Sequence, residues 1–306
     1  MNGFVTKMTI VRKLLILDLN GTLLLRSKRS HGVAPPNGGP RPRTVHRRPY
    51  LSSFREYLFH PTTKEWLDTM VWSSAQPNSV TDMVHQCFGE QKSHFVAIWA
   101  RDTLDLPPEL YHQKTPTTKD LVTPWKVFPL HNAQTTLLLD DSARKAHRHP
   151  FNHVCVSEYS PESRRRDLSV LNASKGPSQL LSKIRKQRPQ RNTVDAAEIP
   201  RVFDEILLAV VGILETLKSE TDVAGWIKNG GLVDPTSQSP PFEQSSSKST
   251  PDALATQLSQ LTMDTPNESS AFSRWFEQNE ALHHWAQQGR DALAALEIEI
   301  VAGVHE

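Results

Sequence analysis

The feature that most constrains the fold is the stretch from Lys13 to Leu25, with the sequence KLLILDLNGTLLL. Its apolar run from Leu14 to Leu17 is too short for a helix, and the turn signal Asp18-Leu19-Asn20-Gly21 follows at once. A continuous apolar run is typical of a parallel strand covered on both faces, and open α/β sheets bind ligands where strands end. The stretch therefore predicts a buried strand that presents Asp18 at a ligand site. The alternative that Asp18 and Asn20 only cap a turn stays open here.

Further strands alternate with helices along the chain. The predicted strands are Trp66–Trp72, Phe95–Trp99, Thr135–Leu139 and His153–Val156, and helices are predicted from Leu51 and over Ser79–Phe88. This order predicts an α/β fold, a doubly wound and mostly parallel sheet. Polar residues follow the ends of two predicted strands, namely Ser73 and the pair Asp140-Asp141. Lys119 lies in a polar segment before the strand that leads to Asp140.

Composition limits the possible partners. The chain has 306 residues with 37% hydrophobic content, which is enough for a sizeable core. A net charge of +2 is too small for a concentrated basic face, so no direct nucleic-acid partner is expected. Cys87 and Cys155 lack the C-x-x-C spacing, which argues against a disulfide framework or a cysteine-based zinc site and favours a reducing compartment.

Targeting signals are weak. No stretch approaches the ~18 apolar residues of a transmembrane helix, and the first residues lack the apolar region of a secretory signal. Lys7, Arg12 and Lys13, with no acidic residue before Asp18, are compatible with a mitochondrial presequence. Because the first strand begins almost at once, we expect a nuclear or cytoplasmic location rather than a mitochondrial one. Nothing in the sequence indicates an oligomeric state.

The chain divides into three predicted parts. Residues 8–232 form the main domain, with a Pro- and Gly-rich flexible insertion at 26–48, and residues 234–266 read as a disordered linker rich in Ser, Thr, Gln and Pro. Ile206–Leu217 is predicted to be a buried helix. Residues 271–304 regain helical periodicity and hold several large aromatic side chains. We expect this last segment to dock on the main domain, because an isolated helix would expose an apolar patch.

Two basic clusters, Arg164–Arg166 and Lys183–Arg188, could bind an acidic partner or an import receptor. Basic runs are more often solvated helix faces, and we favour that interpretation.

The polar residues after the strands could converge on one cleft, and they form the set that phosphoryl transfer needs. A carboxylate can act as a nucleophile and form an acyl phosphate. Mg²⁺ prefers oxygen ligands, commonly one or two carboxylates with substrate phosphate and water. A hydroxyl group and an ammonium group can hold the phosphoryl oxygens in the transition state.

These motifs resemble those of the haloacid dehalogenase superfamily, and within it the NLI-interacting-factor-like or small C-terminal-domain phosphatase group. Asp18-Leu19-Asn20-Gly21-Thr22 resembles the first motif, D-x-D-x-T, and Ser73 falls at the small hydroxyl position of the second. Lys119 resembles the lysine of the third motif, and Leu139-Asp140-Asp141-Ser142 resembles the acidic fourth motif. Arg48-Pro49-Tyr50-Leu51 is similar to a helix start found in this group. Four motifs in order are fairly specific.

The resemblance implies a role for each of these residues. Asp18 would be the nucleophile and a Mg²⁺ ligand, with the backbone carbonyl of Asn20 as a second ligand. Asp141 would be the main acidic ligand of the fourth motif and Asp140 its support. Thr22, Ser73 and Lys119 would bind the transferring phosphate. From the residues alone, other interpretations stay open: Ser73 could cap the following helix, Lys119 could be a surface cation, and paired aspartates often begin turns.

The chain departs from the family pattern at Asn20, where these phosphatases usually carry an acid/base aspartate. An amide cannot exchange a proton in that way, and general acid–base catalysis contributes typically ~10²–10⁴-fold. The resemblance therefore implies a weak Mg²⁺-dependent protein serine/threonine phosphatase that acts through an aspartyl-phosphate intermediate on a phosphorylated protein. The alternative is an inactive binding or scaffold protein, such as a mitochondrial inner-membrane import translocase subunit.

Overall fold

A computed structural model describes residues 11–27, 43–174, 202–233 and 274–305. Its centre is a five-stranded parallel sheet with the order β5-β4-β1-β6-β7. The strands of this sheet are β1 (Lys13–Leu17), β4 (Leu67–Trp72), β5 (Ala97–Trp99), β6 (Thr136–Asp140) and β7 (His153–Cys155). A separate antiparallel pair is formed by β2 (Leu24–Arg26) and β3 (Val45–Arg47). The predicted α/β class and the parallel central sheet are confirmed.

The predicted first strand lies in the middle of the sheet. Leu17 of β1 pairs with Val71 on one side and with Leu139 on the other. Because β-strand side chains alternate, Leu15 and Leu17 face one hydrophobic core while Leu14 and Ile16 face another. Both faces of β1 are thus buried, which explains its uninterrupted apolar sequence.

The helices cover both faces of the sheet. They are α1 (Leu51–Phe59), α2 (Pro61–Lys64), α3 (Pro77–Phe88), α4 (Pro108–Tyr111), α5 (Val122–Val127), α6 (Pro161–Ser174), α7 (Ile206–Ser219), α8 (Val223–Lys228) and α9 (Asn279–Ala295). Short 3₁₀ turns cover Gly89–His94, Arg101–Thr103, Ala143–Ala146, Pro150–Asn152 and Trp275–Glu277. The predicted strands and helices are found within one or two residues of their expected bounds, except in the C-terminal segment 271–304, where helix α9 covers only Asn279–Ala295. The strands β2 and β3 and the helices α2, α4, α5 and α6 were not predicted.

The C-terminal helix α9 packs on α7, whose apolar sequence is buried as predicted. The two helices approach closely where each has a glycine: a Cβ added to Gly289 would lie 1.9 Å from the Leu208 carbonyl oxygen. Trp285 of α9 is buried, and its indole Nε1 donates a hydrogen bond of 2.9 Å to the Leu232 carbonyl. The C-terminal helix is therefore docked on the main domain, as its aromatic side chains indicated.

Some predictions lie outside the described residues. They concern most of the insertion at 26–48, the basic cluster at 183–188 and the linker at 234–266. The other basic cluster begins on the second turn of α6, where Arg165 and Arg166 are exposed as expected for a solvated face. Among the residues that the structure describes, none of the helices has the length and apolar character needed to cross a bilayer.

Candidate active site

Three carboxylates meet at the carboxyl ends of β1 and β6. The Asp18 amide donates a hydrogen bond of 2.9 Å to the Leu139 carbonyl, which places Asp18 beside Asp140 at the same edge of the sheet. Asp18 and Asp140 are buried and Asp141 is half-buried. One carboxylate oxygen from each of the three residues lies within 4.8 Å of the other two. The predicted convergence of the first and fourth motifs is present in the structure.

Lys119 lies in the same cluster. Its fully buried Nζ donates to Asp18 Oδ1 at 3.0 Å and to Asp140 Oδ2 at 2.6 Å. The loop that carries it is fixed, because the Lys119 amide donates to the Lys145 carbonyl at 2.8 Å and the Thr117 hydroxyl lies 2.8 Å from that of Ser74. The alternative that Lys119 is a solvated surface cation is therefore wrong.

Lys145 also reaches the carboxylates, and the sequence analysis missed it. Its Nζ lies 3.1 Å from Asp18 Oδ2, 3.0 Å from Asp140 Oδ1 and 3.8 Å from Asp141 Oδ1. It stands on the 3₁₀ turn that follows β6, so its long side chain folds back over the strand end. The sequence does place Lys145 four residues after Asp141, which is a signal for a contact with the acidic motif. It does not show whether Lys145 or the neighbouring Arg144 turns toward the carboxylates, and in the structure Arg144 is exposed.

Thr22 and Gly21 fit the first motif around Asp141. The Thr22 hydroxyl accepts a hydrogen bond of 3.0 Å from the Asp141 amide and donates one of 3.2 Å to Asp141 Oδ1. Gly21 has φ +92°, and a Cβ there would lie 2.6 Å from Asp141 Oδ2. The turn thus needs glycine both for its conformation and for its closeness to the carboxylate. Because the Thr22 hydroxyl is engaged with Asp141, its predicted contact with phosphate stays a prediction.

Ser73 is the first residue after β4 and is buried. Its hydroxyl accepts a hydrogen bond of 3.4 Å from the amide of Ala75 in its own turn. Helix α3 begins only at Pro77 and is preceded by Gln76, so the alternative that Ser73 caps that helix is wrong. Ser73 lies at the expected edge of the sheet, and its role as a phosphate ligand stays a prediction.

Asn20 is exposed beside the strand end. Its side-chain Oδ1 accepts a hydrogen bond of 2.8 Å from the amide of Arg26 and so holds the last residue of β2. An aspartate could accept the same hydrogen bond. The structure therefore gives a local reason for an Asx-type side chain at this position, while the proposed metal contact of its carbonyl stays a prediction.

Arg48, which opens the Arg-Pro helix start, is buried behind the motif turn. Its Nη1 donates to the Thr22 carbonyl at 2.9 Å, and its Nη2 pairs with Asp204 Oδ2 at 2.8 Å. Its guanidinium also lies over the Tyr159 ring, 5.5 Å from the ring centre. These contacts fix the turn that carries Asp18 and Thr22.

The charges in the cluster shift one another's pKa values. Burial alone raises the pKa of Asp140, but the nearby Lys119 and Lys145 ammonium groups outweigh it and hold this pKa far below its usual range. Burial and the Asp18 charge raise the pKa of Asp141 to about 7. Burial lowers the pKa of Lys145, but the charges of Asp18 and Asp140 outweigh it, so this pKa is raised and Lys145 stays protonated.

The donor set suits a hard divalent cation. Asp18, Asp140 and Asp141 supply oxygen atoms only, and with all five side chains ionised the carboxylates outnumber the ammonium groups of Lys119 and Lys145. Excess negative charge and oxygen ligands are what Mg²⁺ requires. The cluster can thus hold a divalent cation provided that Lys145 releases oxygen atoms that it now contacts.

Comparison with solved structures finds RNA polymerase II phosphatases. One is described as "Fcp1, an essential RNA polymerase II CTD phosphatase", with a TM-score of 0.45, 13% identity and 76% of each chain covered. Another is a variant of fission yeast RNA polymerase II CTD phosphatase Fcp1 bound to beryllium fluoride, with a TM-score of 0.39, 12% identity and 76% of each chain covered.

Sequence comparison gives a closer relationship. An uncharacterized FCP1 homology domain-containing protein of Schizosaccharomyces pombe is 34% identical over 166 residues, which are 50% of this chain and 63% of the relative. The match thus leaves more than a third of that relative's length uncovered. The family described as NLI interacting factor-like phosphatase matches residues 13–187, which hold all four motifs and more than half of the chain. The chain belongs to the NLI interacting factor-like phosphatase family, within the haloacid dehalogenase superfamily.

Proposed function

We propose that this protein is a slow, Mg²⁺-dependent phosphatase of phosphoserine or phosphothreonine in proteins and that Asp18 is its nucleophile. The observation that carries this proposal is the meeting of Asp18, Asp140 and Asp141 at one strand edge, with Lys119 bonded to two of them. Membership in a phosphatase family supports the reaction class.

In the first step, an Asp18 oxygen attacks phosphorus. The bond from phosphorus to the serine or threonine oxygen breaks, and the leaving oxygen takes up a proton. Lys119, held 3.0 Å from Asp18, offsets negative charge as the phosphoryl group arrives. The product is an aspartyl phosphate on Asp18.

In the second step, water attacks phosphorus, the acyl-phosphate bond breaks, and inorganic phosphate leaves with Asp18 restored. Both steps need a proton carrier beside the reacting oxygen. Asn20 stands where the family usually has an aspartate, and its amide cannot carry the proton, so water must do so. We expect this to slow turnover by about 10²–10⁴-fold relative to an aspartate.

Asp18, Asp140 and Asp141 would hold the metal ion, with the Asn20 carbonyl as a further ligand. When bound, Mg²⁺ would neutralise charge on the phosphoryl oxygens as the transition state forms. Thr22 and Gly21 keep Asp141 in place for this task through the hydroxyl contacts and the close packing described above.

The test is phosphate release from an aryl phosphate and from a phosphoserine peptide, with and without MgCl₂. We compare the parent protein with Asp18→Asn and Asn20→Asp. We expect slow metal-dependent turnover in the parent, none in Asp18→Asn, and an increase of about 10²-fold or more in Asn20→Asp. Asn20→Asp is a mild change structurally, because an aspartate keeps the acceptor for the Arg26 amide.

Other outcomes decide against parts of the proposal. If the parent is inert and only Asn20→Asp turns over, the natural protein is a binding or scaffold member of its family, which is the second candidate function that Asn20 favours. If folded Asp18→Asn retains the parent activity, Asp18 is not the nucleophile. If none of the three proteins is active, the assignment of this cleft as a phosphatase site is wrong.

A further inference from the structure

Lys145 has no part in the proposed phosphatase steps, yet it touches every carboxylate of the site. We propose that its ammonium group is a resident cation of the cluster, which a divalent metal ion must displace, so that Lys145 sets the metal concentration at which the site becomes active. This inference rests on the proposed metal-dependent function. It adds a regulating residue that the family motifs do not contain.

Lys145 contacts oxygen atoms of the residues that could hold a metal ion. Lys145 Nζ lies near Asp18 Oδ2, Asp140 Oδ1 and Asp141 Oδ1, at 3.1, 3.0 and 3.8 Å. The same three residues form the cluster of oxygen donors that could hold a metal ion. Two cations that share these donors would repel each other at short range, so metal binding and the present position of Lys145 compete.

The two lysines of the cluster differ in their exposure to solvent. The Lys119 side chain is 0% exposed, whereas the Lys145 side chain is 18% exposed and so has a part in contact with solvent. Lys119 therefore has no route to solvent without rearrangement of its loop. Lys145 can swing outward about its own side-chain torsions, since the backbone of its turn need not move.

Both carboxylate oxygens of Asp18 accept hydrogen bonds from ammonium groups. Its Oδ1 accepts a hydrogen bond from Lys119 at 3.0 Å and its Oδ2 accepts one from Lys145 at 3.1 Å. Each oxygen keeps a second lone pair, but an ammonium donor on each of them lowers its nucleophilicity. Departure of Lys145 removes the ammonium donor from Oδ2, so the event that admits the metal also makes this oxygen a better nucleophile.

Charge balance explains why the resident cation is tolerated. In the absence of metal, Lys119 and Lys145 offset two of the three buried or half-buried carboxylates. A buried carboxylate without a partner is costly. Lys145 thus stabilises the metal-free fold with the same interactions by which it opposes the metal.

The test is the affinity for Mg²⁺ measured by isothermal titration calorimetry on the full chain, with MgCl₂ as the only ligand. We compare the parent with Lys145→Met, Lys145→Arg and the matched control Arg144→Met, which removes the same charge from an exposed neighbouring side chain. We expect Lys145→Met to lower the Kd by about tenfold or more, and both other variants to stay within about threefold of the parent or bind more weakly. An unchanged Kd in folded Lys145→Met overturns the proposal, and so does an equal gain in Arg144→Met.

A second measurement uses the parent protein, in case Lys145→Met does not fold without metal. Reductive methylation read by mass spectrometry reports the accessibility of each lysine. With saturating MgCl₂ we expect labelling of Lys145 to rise about fivefold while Lys119 stays protected and the exposed Lys126 labels equally in both states. Labelling of Lys145 that does not rise with Mg²⁺, although calorimetry shows binding, overturns the proposal.

The two proposals fail separately. If the parent hydrolyses phosphate in a metal-dependent way but Lys145→Met leaves the Mg²⁺ affinity unchanged, the resident-cation inference is wrong and the phosphatase proposal stands. If Lys145→Met binds Mg²⁺ more tightly but no variant, Asn20→Asp included, releases phosphate, the phosphatase proposal is wrong and the resident-cation inference stands.

Discussion

The central sheet carries an ionic cluster at each of its two ends. At the carboxyl end lie Asp18, Asp140 and Asp141 with Lys119 and Lys145. At the amino end, Asp68 near the start of β4 accepts hydrogen bonds from Arg12 Nε at 3.1 Å and from His131 Nε2 at 3.2 Å. Both clusters join elements that are distant in sequence, but they differ in burial and in charge balance.

The cluster at the amino end of the sheet has the features of a structural ion pair. One carboxylate serves two basic groups, and the Arg12 side chain is 43% exposed. Burial raises the pKa of Asp68, but the hydrogen bonds from His131 and Arg12 outweigh it and hold this pKa far below its usual range. At the carboxyl end acids outnumber bases, and the pKa values of Asp140 and Asp141 move in opposite directions. In a structural ion pair the carboxylate is fully matched by basic groups, whereas a cation-binding site keeps an excess of negative charge.

The largest expected difference in stability is between the loss of Lys119 and the loss of Arg12, the cationic partners at the two ends of the sheet. Lys119→Met leaves buried Asp18 and Asp140 without a major partner, so we expect the free energy of unfolding to fall by about 4 kcal/mol. Arg12→Met removes a half-exposed partner, and the loss should be at most about 1 kcal/mol. Urea unfolding of the metal-free proteins at neutral pH measures both values. Equal losses would show that the two clusters do not differ in this way.

Substitution of glycine by alanine should also have a larger effect beside the carboxylate cluster than at a distant turn. A Cβ at Gly21 meets Asp141 Oδ2 at 2.6 Å, whereas one at Gly89 meets nothing within 4 Å, and both residues have positive φ. We expect Gly21→Ala to cost about 3 kcal/mol through strain and overpacking, and Gly89→Ala about 1 kcal/mol through strain alone. Thermal unfolding measures the loss, and only Gly21→Ala should also weaken Mg²⁺ binding. A Gly21→Ala protein as stable as Gly89→Ala would contradict the close packing around Asp141.

The pH dependence of Asp141 follows from its raised pKa. This carboxyl titrates near pH 7 in the folded protein and about pH 4 when unfolded, so its ionisation opposes folding as the pH rises between these values. Asp141→Asn should therefore raise the free energy of unfolding of the metal-free protein by about 2 kcal/mol at about pH 8, with the gain vanishing as the pH falls toward 4. Urea unfolding across this range checks it. A constant difference at every pH would contradict it.

The smallest expected effect on stability is that of Asp68, and its pH dependence has the opposite sign to that of Asp141. Because its folded pKa is lowered, its contribution to stability is present above its unfolded pKa and is lost as the pH falls through the folded value. We expect Asp68→Asn to cost at most about 1 kcal/mol at neutral pH, since Arg12 is partly solvated, and progressively less as the solution is acidified. Urea unfolding at several pH values measures this, with the exposed Asp102→Asn as control. A loss that grows on acidification would reverse the assigned sign.

The sequence predicted much of the fold because its signals were local. The apolar run Leu14–Leu17 marked the central strand, and the aromatic residues of the C-terminal segment indicated the docked helix. The β2–β3 pair was missed because its strands have three residues each and lie on either side of the insertion, too short for a periodic pattern. Helix α6 was missed because its sequence is mostly polar and its buried residues are few.

The carboxylates that meet could be named from the sequence, because Asp18 directly follows β1, the Asp140-Asp141 pair spans the end of β6, and parallel strands end at one edge. The folded chain was needed to show that the Lys119 side chain is fully buried among them and that the partly exposed Lys145 reaches all three. A lysine has a long side chain with several rotatable bonds, so its place in the sequence does not fix where its charge lies. The packing of the loop at Lys119 against the turn at Lys145, through the hydrogen bond between their backbones, settles that question.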